Sequence, residues 1–523
     1  MSCDEKFIQL REEISKDLKP ILSHAEKACW DFYILSNEEN LEKMNSAQNK
    51  ATDFYDNPEI YKKLKEINDN GGVTELHLKK QLKKLTSEFG DGIEFKKEIK
   101  TINEKENEIS QKINSYIMKI DNEPVSKAEI VQILQTETNT ELRKKAYIAK
   151  ISAGDYIADD LTELVNLRND FARKKGYDNY FDYKLEEDYD ITPNELDKLL
   201  QEVCEKTKNA NEKVLAKTKE NLSIAFNIPI TDLRKYHFGL ITGENPEKAV
   251  NEKIDTKEEV VDICKNTYKC MGYNIDNLPI ILDLFPRENK NTHGFSFPIE
   301  AGKDARILAN LTNNVSSIDT LLHELGHSVF TVKTNPNLPF LEQDTTCTMT
   351  EAIAMMMGDL PRLENIMKNK ISDEIFENFK KSLGDEDSKF IASSLTIIDF
   401  ERNMYKNTNQ DLKQLWKDLC IKYKGHSISD TANNEWATIP HYLSHPAYYQ
   451  NYFRASLIKA QIYNALTQKL GELTKNSNTA NYLDEHIFQY GGAKFDDEIL
   501  MIVSGKKLSA EDFCNRINDL VRD

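Results

Sequence analysis

The 523-residue chain lacks the sequence features that mark several classes of protein. No run approaches about 18 apolar residues, so no membrane span is predicted. The first residues carry no apolar stretch of the kind found in secretory signals. The eight cysteines are scattered and form no C-x-x-C pair, which is typical of reduced thiols in the cytoplasm. We therefore expect a cytoplasmic protein without a membrane partner.

The chain also has fewer basic than acidic residues. The chain has 69 lysines and arginines against 87 acidic residues, a net charge of −18. Because phosphate binding needs a basic face, nucleic acid is excluded as a general partner, and the acidity itself is explained by solubility. No low-complexity linker or internal repeat divides the sequence, so we expect residues 1–523 to form one domain.

Amphipathic helical patterns fill most of the chain. Residues 1–150 are dense in Lys and Glu, and glycines predict helix breaks at 70–72 and 90–92. The best strand candidates are three short apolar segments bounded by turn residues, at 279–286, 293–298 and 306–312. The prediction is a mainly α protein with a small β-sheet.

The segment that follows these strands carries the most specific motif. His323 and His327 stand at i and i+4, which places both imidazoles on one face of a helix where one zinc ion can bind them. Glu324 directly follows the first histidine and is placed to act as a general base. Ser316 and Asp319 have the spacing of a capping box at the start of this helix. A chance match remains the alternative for the motif alone.

A catalytic zinc site takes a third protein ligand, and Glu351 is the candidate. It lies 24 residues after His327, near the start of an otherwise apolar helix predicted to begin near Thr348 or Thr350. A carboxylate in so apolar a segment needs a partner, which a metal ion would supply. The alternative is a helix-start glutamate stabilised by the helix dipole.

With these residues in place, the chain resembles angiotensin-converting enzyme and, more distantly, thimet oligopeptidase and bacterial oligoendopeptidases. The spacing from His327 to Glu351 matches the converting enzyme, as does His293, which precedes His323 by 30 residues. Segment 167–177 resembles a helix–turn segment of both branches. The resemblance implies a large helical metallopeptidase split by a deep cleft, with the small sheet next to the zinc helix. It also allows residues 1–150 to act as a lid-like region on a catalytic core of residues 151–523.

The resemblance also implies further site residues. His293 and Gly294 correspond to residues that bind the substrate backbone. In segment 441–453, Tyr449 and Tyr452 match a pair of substrate-contacting tyrosines. His441 matches the accompanying histidine if one residue is inserted, and His445 is the competing assignment.

Tyr452 and His441 are hydrogen-bond donors of the type that stabilises an oxyanion. The other role open to this aromatic segment is packing in a core.

Three positions depart from the converting-enzyme pattern. Ile439 replaces a lysine that binds the substrate's C-terminal carboxylate, and Asn451 replaces an arginine involved in chloride binding. Both dipeptide release and chloride activation are therefore in doubt. Met355 replaces an aspartate that follows the glutamate ligand, and Asp359 could act as the partner of a ligand instead.

The predicted function is hydrolysis of short peptides by a zinc metallopeptidase whose cleft excludes folded proteins. The substrate is predicted to pair with the edge of strand 306–312. The alternatives are a peptidyl-dipeptidase that releases C-terminal dipeptides and a catalytically silent peptide-binding relative, which the intact Glu324 disfavours. A deformylase is a further alternative, disfavoured by the chain length and by Glu351, because deformylases use a cysteine as the third ligand.

Overall fold

The computed structural model describes residues 1–242, 245–425 and 433–521, and most of these residues are helical, which confirms the predicted mainly α class. The helices of the first half are α1 (Cys3–Ile34), α2 (Glu38–Tyr55), α3 (Pro58–Asp69), α4 (Leu76–Glu94), α5 (Lys96–Ser115), α6 (Lys127–Thr136), α7 (Thr140–Lys174), α8 (Tyr180–Asp188), α9 (Pro193–Phe226) and α10 (Pro246–Asn251). Those of the second half are α11 (Lys257–Met271), α12 (Val315–Lys333), α13 (Cys347–Leu363), α14 (Asp373–Lys406), α15 (Leu412–Lys424), α16 (Pro440–Ser444), α17 (Tyr449–Leu470), α18 (Asn478–His486), α19 (Asp496–Ser504) and α20 (Glu511–Leu520). The strands are β1 (Lys119–Ile120), β2 (Glu123–Pro124), β3 (Ile280–Asp283), β4 (Phe295–Glu300) and β5 (Asp304–Leu308). Within the described ranges, no helix combines the length and the apolar character needed to cross a membrane.

The chain divides into two compact units. The first unit comprises Met1–Lys96, Ala249–Lys380 and Arg454–Phe513, and the second comprises Lys97–Lys248, Lys381–Phe453 and Cys514–Asp523. The division at Lys96 falls inside the segment 1–150. The prediction that this segment is a lid on one peptidase domain stays a prediction.

The first unit is built around a three-stranded sheet of order β3-β5-β4. β5 pairs in parallel with β3 and antiparallel with β4. One face of the sheet packs on α12, where the hydroxyls of Ser296 and Ser328 are 2.7 Å apart. The other face packs on α1, where the rings of Trp30 and Phe297 meet edge to face at 5.5 Å. The small sheet therefore lies directly beside the helix of the two histidines, as predicted.

The position of β5 corrects one prediction. The segment 306–312 was expected to present a strand edge to the substrate, but β5 ends at Leu308 and is the central strand. Its backbone groups are used by β3 on one side and by β4 on the other. In the described part of the chain, the edges of this sheet are β3 and β4.

Two local predictions in the first unit were also wrong. The cap of α12 is Asn314, whose side chain accepts from the Ser317 backbone N–H at 2.8 Å, and not the pair Ser316 and Asp319. The glycines of segment 90–92 do not break a helix, because α4 runs through them. A Cβ on Gly90 would lie 3.0 Å from the Tyr61 ring, so this glycine serves the packing of α4 on α3.

The second unit has an aromatic core centred on Phe400 of α14. Its ring lies 5.2 Å from Trp416, 5.4 Å from Trp436 and 5.6 Å from Tyr442. The hydroxyl of Tyr442 donates to the Ile397 carbonyl, so this buried polar group is satisfied. The core anchors α16, because Tyr442 lies in that short helix.

Candidate metal centre

The close approach of α12 and α13 builds the centre. The two helices pack where a Cβ on Gly326 would lie only 2.8 Å from the Cα of Ala354. Only glycine fits at this contact, since a real Cβ essentially never comes within 3.0 Å of a backbone atom. Gly326 stands between the histidines of the motif, so the contact brings Glu351, on the second turn of α13, to the imidazoles.

His323, His327 and Glu351 converge, as the sequence predicts. The Nε2 atoms of the histidines are 3.2 Å apart, and Glu351 Oε2 is 3.8 Å from one and 3.9 Å from the other. A tetrahedral zinc ion with ligands at about 2.0–2.1 Å needs ligand atoms about 3.3–3.4 Å apart, so the histidine pair is close to this spacing and the Glu351 oxygen lies about 0.5 Å farther out. The three side chains keep between 15% and 28% of their surface accessible.

Both histidines are in the protonation state that a metal needs. Burial lowers the pKa of His323 to about 4, with Lys459 lowering it further and Asp359 opposing that effect. Burial also lowers the pKa of His327 to about 3. Near pH 7 both rings are therefore neutral. His327 Nδ1 lies 2.7 Å from Thr350 Oγ1, and a proton on Nδ1 donated to this hydroxyl leaves Nε2 free as a ligand.

The two carboxyl groups of the site are hard to ionise without a nearby positive charge. Burial raises the pKa of Glu351 to about 7. Burial, followed by the charge of Glu351, raises the pKa of Glu324 to about 8. A divalent cation at the three converging atoms would offset both effects, because a nearby opposite charge favours an ionised carboxylate. The donor set of two imidazoles and one carboxylate is also one that zinc prefers.

Glu324 is not a member of this group of three and lies beside the predicted substrate-binding loop. It is 8% exposed, and a Cβ on Gly294 would lie 3.4 Å from its Oε1 and 3.2 Å from the Thr320 methyl group. The structure thus brings Gly294 to the side of the predicted base. His293, which directly precedes Gly294, is exposed, and its Nδ1 lies 3.5 Å from Thr292 Oγ1.

Sequence reasoning missed the residues that fix this loop. Lys290 has a fully buried side chain whose ammonium donates to the backbone carbonyls of Asp283, Phe285 and Ala309 and to the Asp283 carboxylate. Arg287 donates to both Asp283 oxygens, at 2.6 and 2.7 Å. The available signal was an aspartate at the end of an apolar strand with two basic residues after it. A buried ammonium is tolerated only when it is this fully bonded.

Asp359 was predicted as a partner of a metal ligand. Its carboxylate is 2.8 Å from the ammonium of Lys459, which is 4% exposed, and the charges of both act on His323. A direct contact between Asp359 and His323 stays a prediction.

The other predicted site residues lie in the second unit, where they form a cluster of their own. The His441 ring lies 5.2 Å from Tyr449 and 6.0 Å from Tyr452, and those two rings are 5.7 Å apart. His445 is exposed and contacts Tyr448 instead, at 5.8 Å. Because His441 is the histidine that contacts both members of the tyrosine pair, the geometry favours it over His445.

Two buried polar side chains hold the turn that carries this cluster. Arg168, 1% exposed, donates to the carbonyls of Tyr442 and Leu443 at 2.7 and 2.5 Å. Glu401 accepts from the backbone N–H of Ala447 at 2.8 Å, where φ is +59°. The sequence indicates Arg168 only through the resemblance of segment 167–177, and the contact explains why an arginine is needed there.

Two family models match the chain over separate segments. The model of peptidase family M3 matches residues 277–519, which contain every candidate metal ligand and the His441 cluster. The model described as angiotensin-converting enzyme matches residues 4–231. These matches confirm the resemblance that the motifs predict.

Curated relatives agree with the first of these models. The chain is 25% identical over 251 residues to an oligoendopeptidase F homolog of Borreliella burgdorferi, covering 45% of this chain and 40% of the relative. It is 26% identical to the group B oligopeptidase PepB of Streptococcus agalactiae, over 29% of this chain and 25% of the relative. It is 24% identical to a chromosomal oligoendopeptidase F of Lactococcus lactis subsp. cremoris, over 34% and 31%. The matches span less than half the length of each relative.

Proposed function

We propose that this chain is a zinc metallopeptidase that hydrolyses peptide bonds in short peptides. The observation that carries the proposal is the convergence of His323, His327 and Glu351 next to a buried glutamate, Glu324, that is not one of the three. Three protein ligands are typical of catalytic zinc, whereas structural sites use four. The similar proteins are named as oligopeptidases and oligoendopeptidases, which supports the same reaction.

Glu324 is the proposed general base. When bound, zinc supplies Lewis-acid activation of a water molecule and of the peptide carbonyl. Glu324 takes the proton of the attacking water and returns it to the leaving amine nitrogen. Its burial strengthens these proton transfers, because few water molecules compete for the carboxylate.

The substrate backbone is proposed to pair with β4. This edge strand begins directly after Gly294, whose position beside Glu324 brings the start of the strand to the base. An extended peptide adds to a sheet edge through main-chain hydrogen bonds, which hold many sequences equally well. β4 therefore takes the role that the sequence assigned to the segment 306–312.

Tyr452 and His441 are proposed to donate to the oxyanion, on the resemblance and on their chemistry. Replacing Tyr452 by phenylalanine is expected to lower kcat by about 10²–10³-fold with little change in KM, as loss of one oxyanion donor does. Steady-state kinetics on a fluorogenic peptide measures both constants. Tyr448→Phe is the matched control, since Tyr448 lies 5.3 Å from Tyr452 but is outside the matched pair. An effect on KM alone would reassign Tyr452 to substrate binding.

We propose internal cleavage of the peptide and not release of C-terminal dipeptides, because Ile439 stands where the converting enzyme has a carboxylate-binding lysine. The test is zinc analysis together with mass spectrometry of products from a peptide library with free and amidated C-termini. The proposal requires bound zinc and cleavage of both the free and the amidated peptides. Loss of cleavage on amidation would favour the peptidyl-dipeptidase, and zinc without cleavage would favour a silent relative.

Short peptides are expected to be cut and folded proteins spared. The reason is the deep cleft that the resemblance implies, which would admit an extended chain but not a folded domain. Digestion of a ten-residue peptide, native casein and a folded globular protein under one set of conditions measures this. Cleavage of the folded protein at the rate of the peptide would contradict the enclosed site.

A further inference from the structure

The side chains of β4 alternate between two environments. Gly294, just before the strand, and Ser296 face α12, where they meet Glu324 and Ser328 respectively. Phe295 and Phe297 face α1, where both rings lie against Tyr33, at 5.2 and 5.6 Å. This is the two-residue period of a strand, and a peptide added to the edge would follow it.

The α1 face of this strand carries an aromatic surface that is buried at one end and open at the other. Phe297 is 6% exposed and is packed against Trp30. Phe295 is 37% exposed, the ring of Tyr33 supports it from α1, and the ring of His293 lies 6.2 Å away. The open ring is thus held from behind by a packed aromatic cluster.

A single exposed phenylalanine is common on protein surfaces, but the position of Phe295 beside the proposed base suggests a function. Phe295 follows Gly294, where an added Cβ would lie 3.4 Å from Glu324 Oε1. In a peptide paired with β4, the residue opposite Gly294 would face the base, and its neighbour opposite Phe295 would face α1. Residues directly opposite each other in paired strands have Cβ atoms about 4.5–5.5 Å apart.

We propose that Phe295 determines substrate specificity, selecting peptides with an aromatic or large aliphatic residue within two positions of the cleaved bond. The inference rests on the proposed function and gives it a substrate class. Backbone pairing tolerates any sequence, so the side chain opposite Phe295 is where selection occurs. An aromatic side chain there stacks on a preformed surface, whereas an acidic one would lose its hydration against the rings.

The test is a set of peptides that share one cleaved bond and carry Phe, Leu, Ala or Asp at each of the four positions around it. Phe is expected to exceed Ala in kcat/KM by about tenfold at one position, and Asp to be worst there. Phe295→Ala should remove this preference, so that the Phe and Ala peptides are cut with similar kcat/KM, and Phe295→Leu should restore part of it. Ile281→Ala is the matched control, because Ile281 is 49% exposed on the opposite edge strand of the same sheet.

A second measurement separates this inference from the proposed function. Binding of the Phe and Ala peptides to zinc-loaded Glu324→Gln, with and without Phe295→Ala, reports the contact without turnover. A preference that persists in Phe295→Ala, with hydrolysis intact, overturns the role of Phe295 and leaves the peptidase standing. Preferential binding that depends on Phe295, in a protein that hydrolyses nothing, supports the contact and overturns the peptidase.

Discussion

Replacing Glu324 by glutamine is expected to lower kcat for peptide hydrolysis by about 10²–10⁴-fold while zinc stays bound. Glutamine keeps the shape of the side chain, so the contact with Gly294 and the packing of α12 are preserved. It has no basic carboxylate, so it cannot take a proton from the attacking water. Zinc binding is spared because Glu324 is not one of the three converging side chains.

The measurement pairs kcat on a fluorogenic peptide with zinc content by mass spectrometry. Glu288→Gln is a matched control, because Glu288 is exposed on the loop that leads to His293. It should hydrolyse the peptide at the wild-type rate. Near-normal turnover in Glu324→Gln would exclude this glutamate as the base, and loss of zinc from that variant would mean that it helps to hold the ion.

Local geometry explains which parts of the site could be predicted from the sequence. The separation of His323 and His327 fixes both rings on one helix face whatever surrounds them. Glu351 was predictable because a carboxylate in an apolar segment needs a compensating charge. Its distance from the histidines was not, because that depends on the approach of α13 to Gly326, a contact between residues 28 positions apart in sequence.

The order of strands in the sheet cannot be predicted from local sequence patterns. All three apolar segments were identified as strands, but nothing in segment 306–312 shows that two neighbours flank it. For the same reason the glycines of segment 90–92 were interpreted as a break, although Gly90 packs against Tyr61 of another helix. Glycine in a sequence marks both a turn and a close contact, and only the tertiary structure separates the two.

The charged side chains that hold the loops were not predicted from the sequence, for a similar reason. Lys290 and Arg168 resemble ordinary surface residues in a chain with 69 basic side chains. Both are buried, and Arg168 donates to backbone carbonyls more than 270 positions away, whereas most acceptors of Lys290 lie five to seven positions before it. The acceptors of Arg168 are set by the fold, and for Lys290 the spacing from Asp283 was the signal that the sequence offered.

Replacing His323 by alanine is expected to weaken zinc binding by more than about 100-fold. Loss of a residue that only orients a ligand typically costs about 10–100-fold in metal affinity, and loss of a direct ligand should exceed that. Thr350→Val, which removes the hydroxyl 2.7 Å from His327 Nδ1, should therefore fall in the intermediate range. His293→Ala is the matched control, since this exposed histidine lies outside the three converging side chains.

Competition with a chromophoric chelator measures the three affinities, and circular dichroism checks that each variant is folded. The expected order of affinity is His293→Ala, then Thr350→Val, then His323→Ala. His293→Ala should keep zinc and lose kcat/KM, because its proposed role is to bind substrate. Wild-type zinc affinity in folded His323→Ala would show that the metal is held elsewhere, since removing one of three ligands cannot leave a tetrahedral site intact.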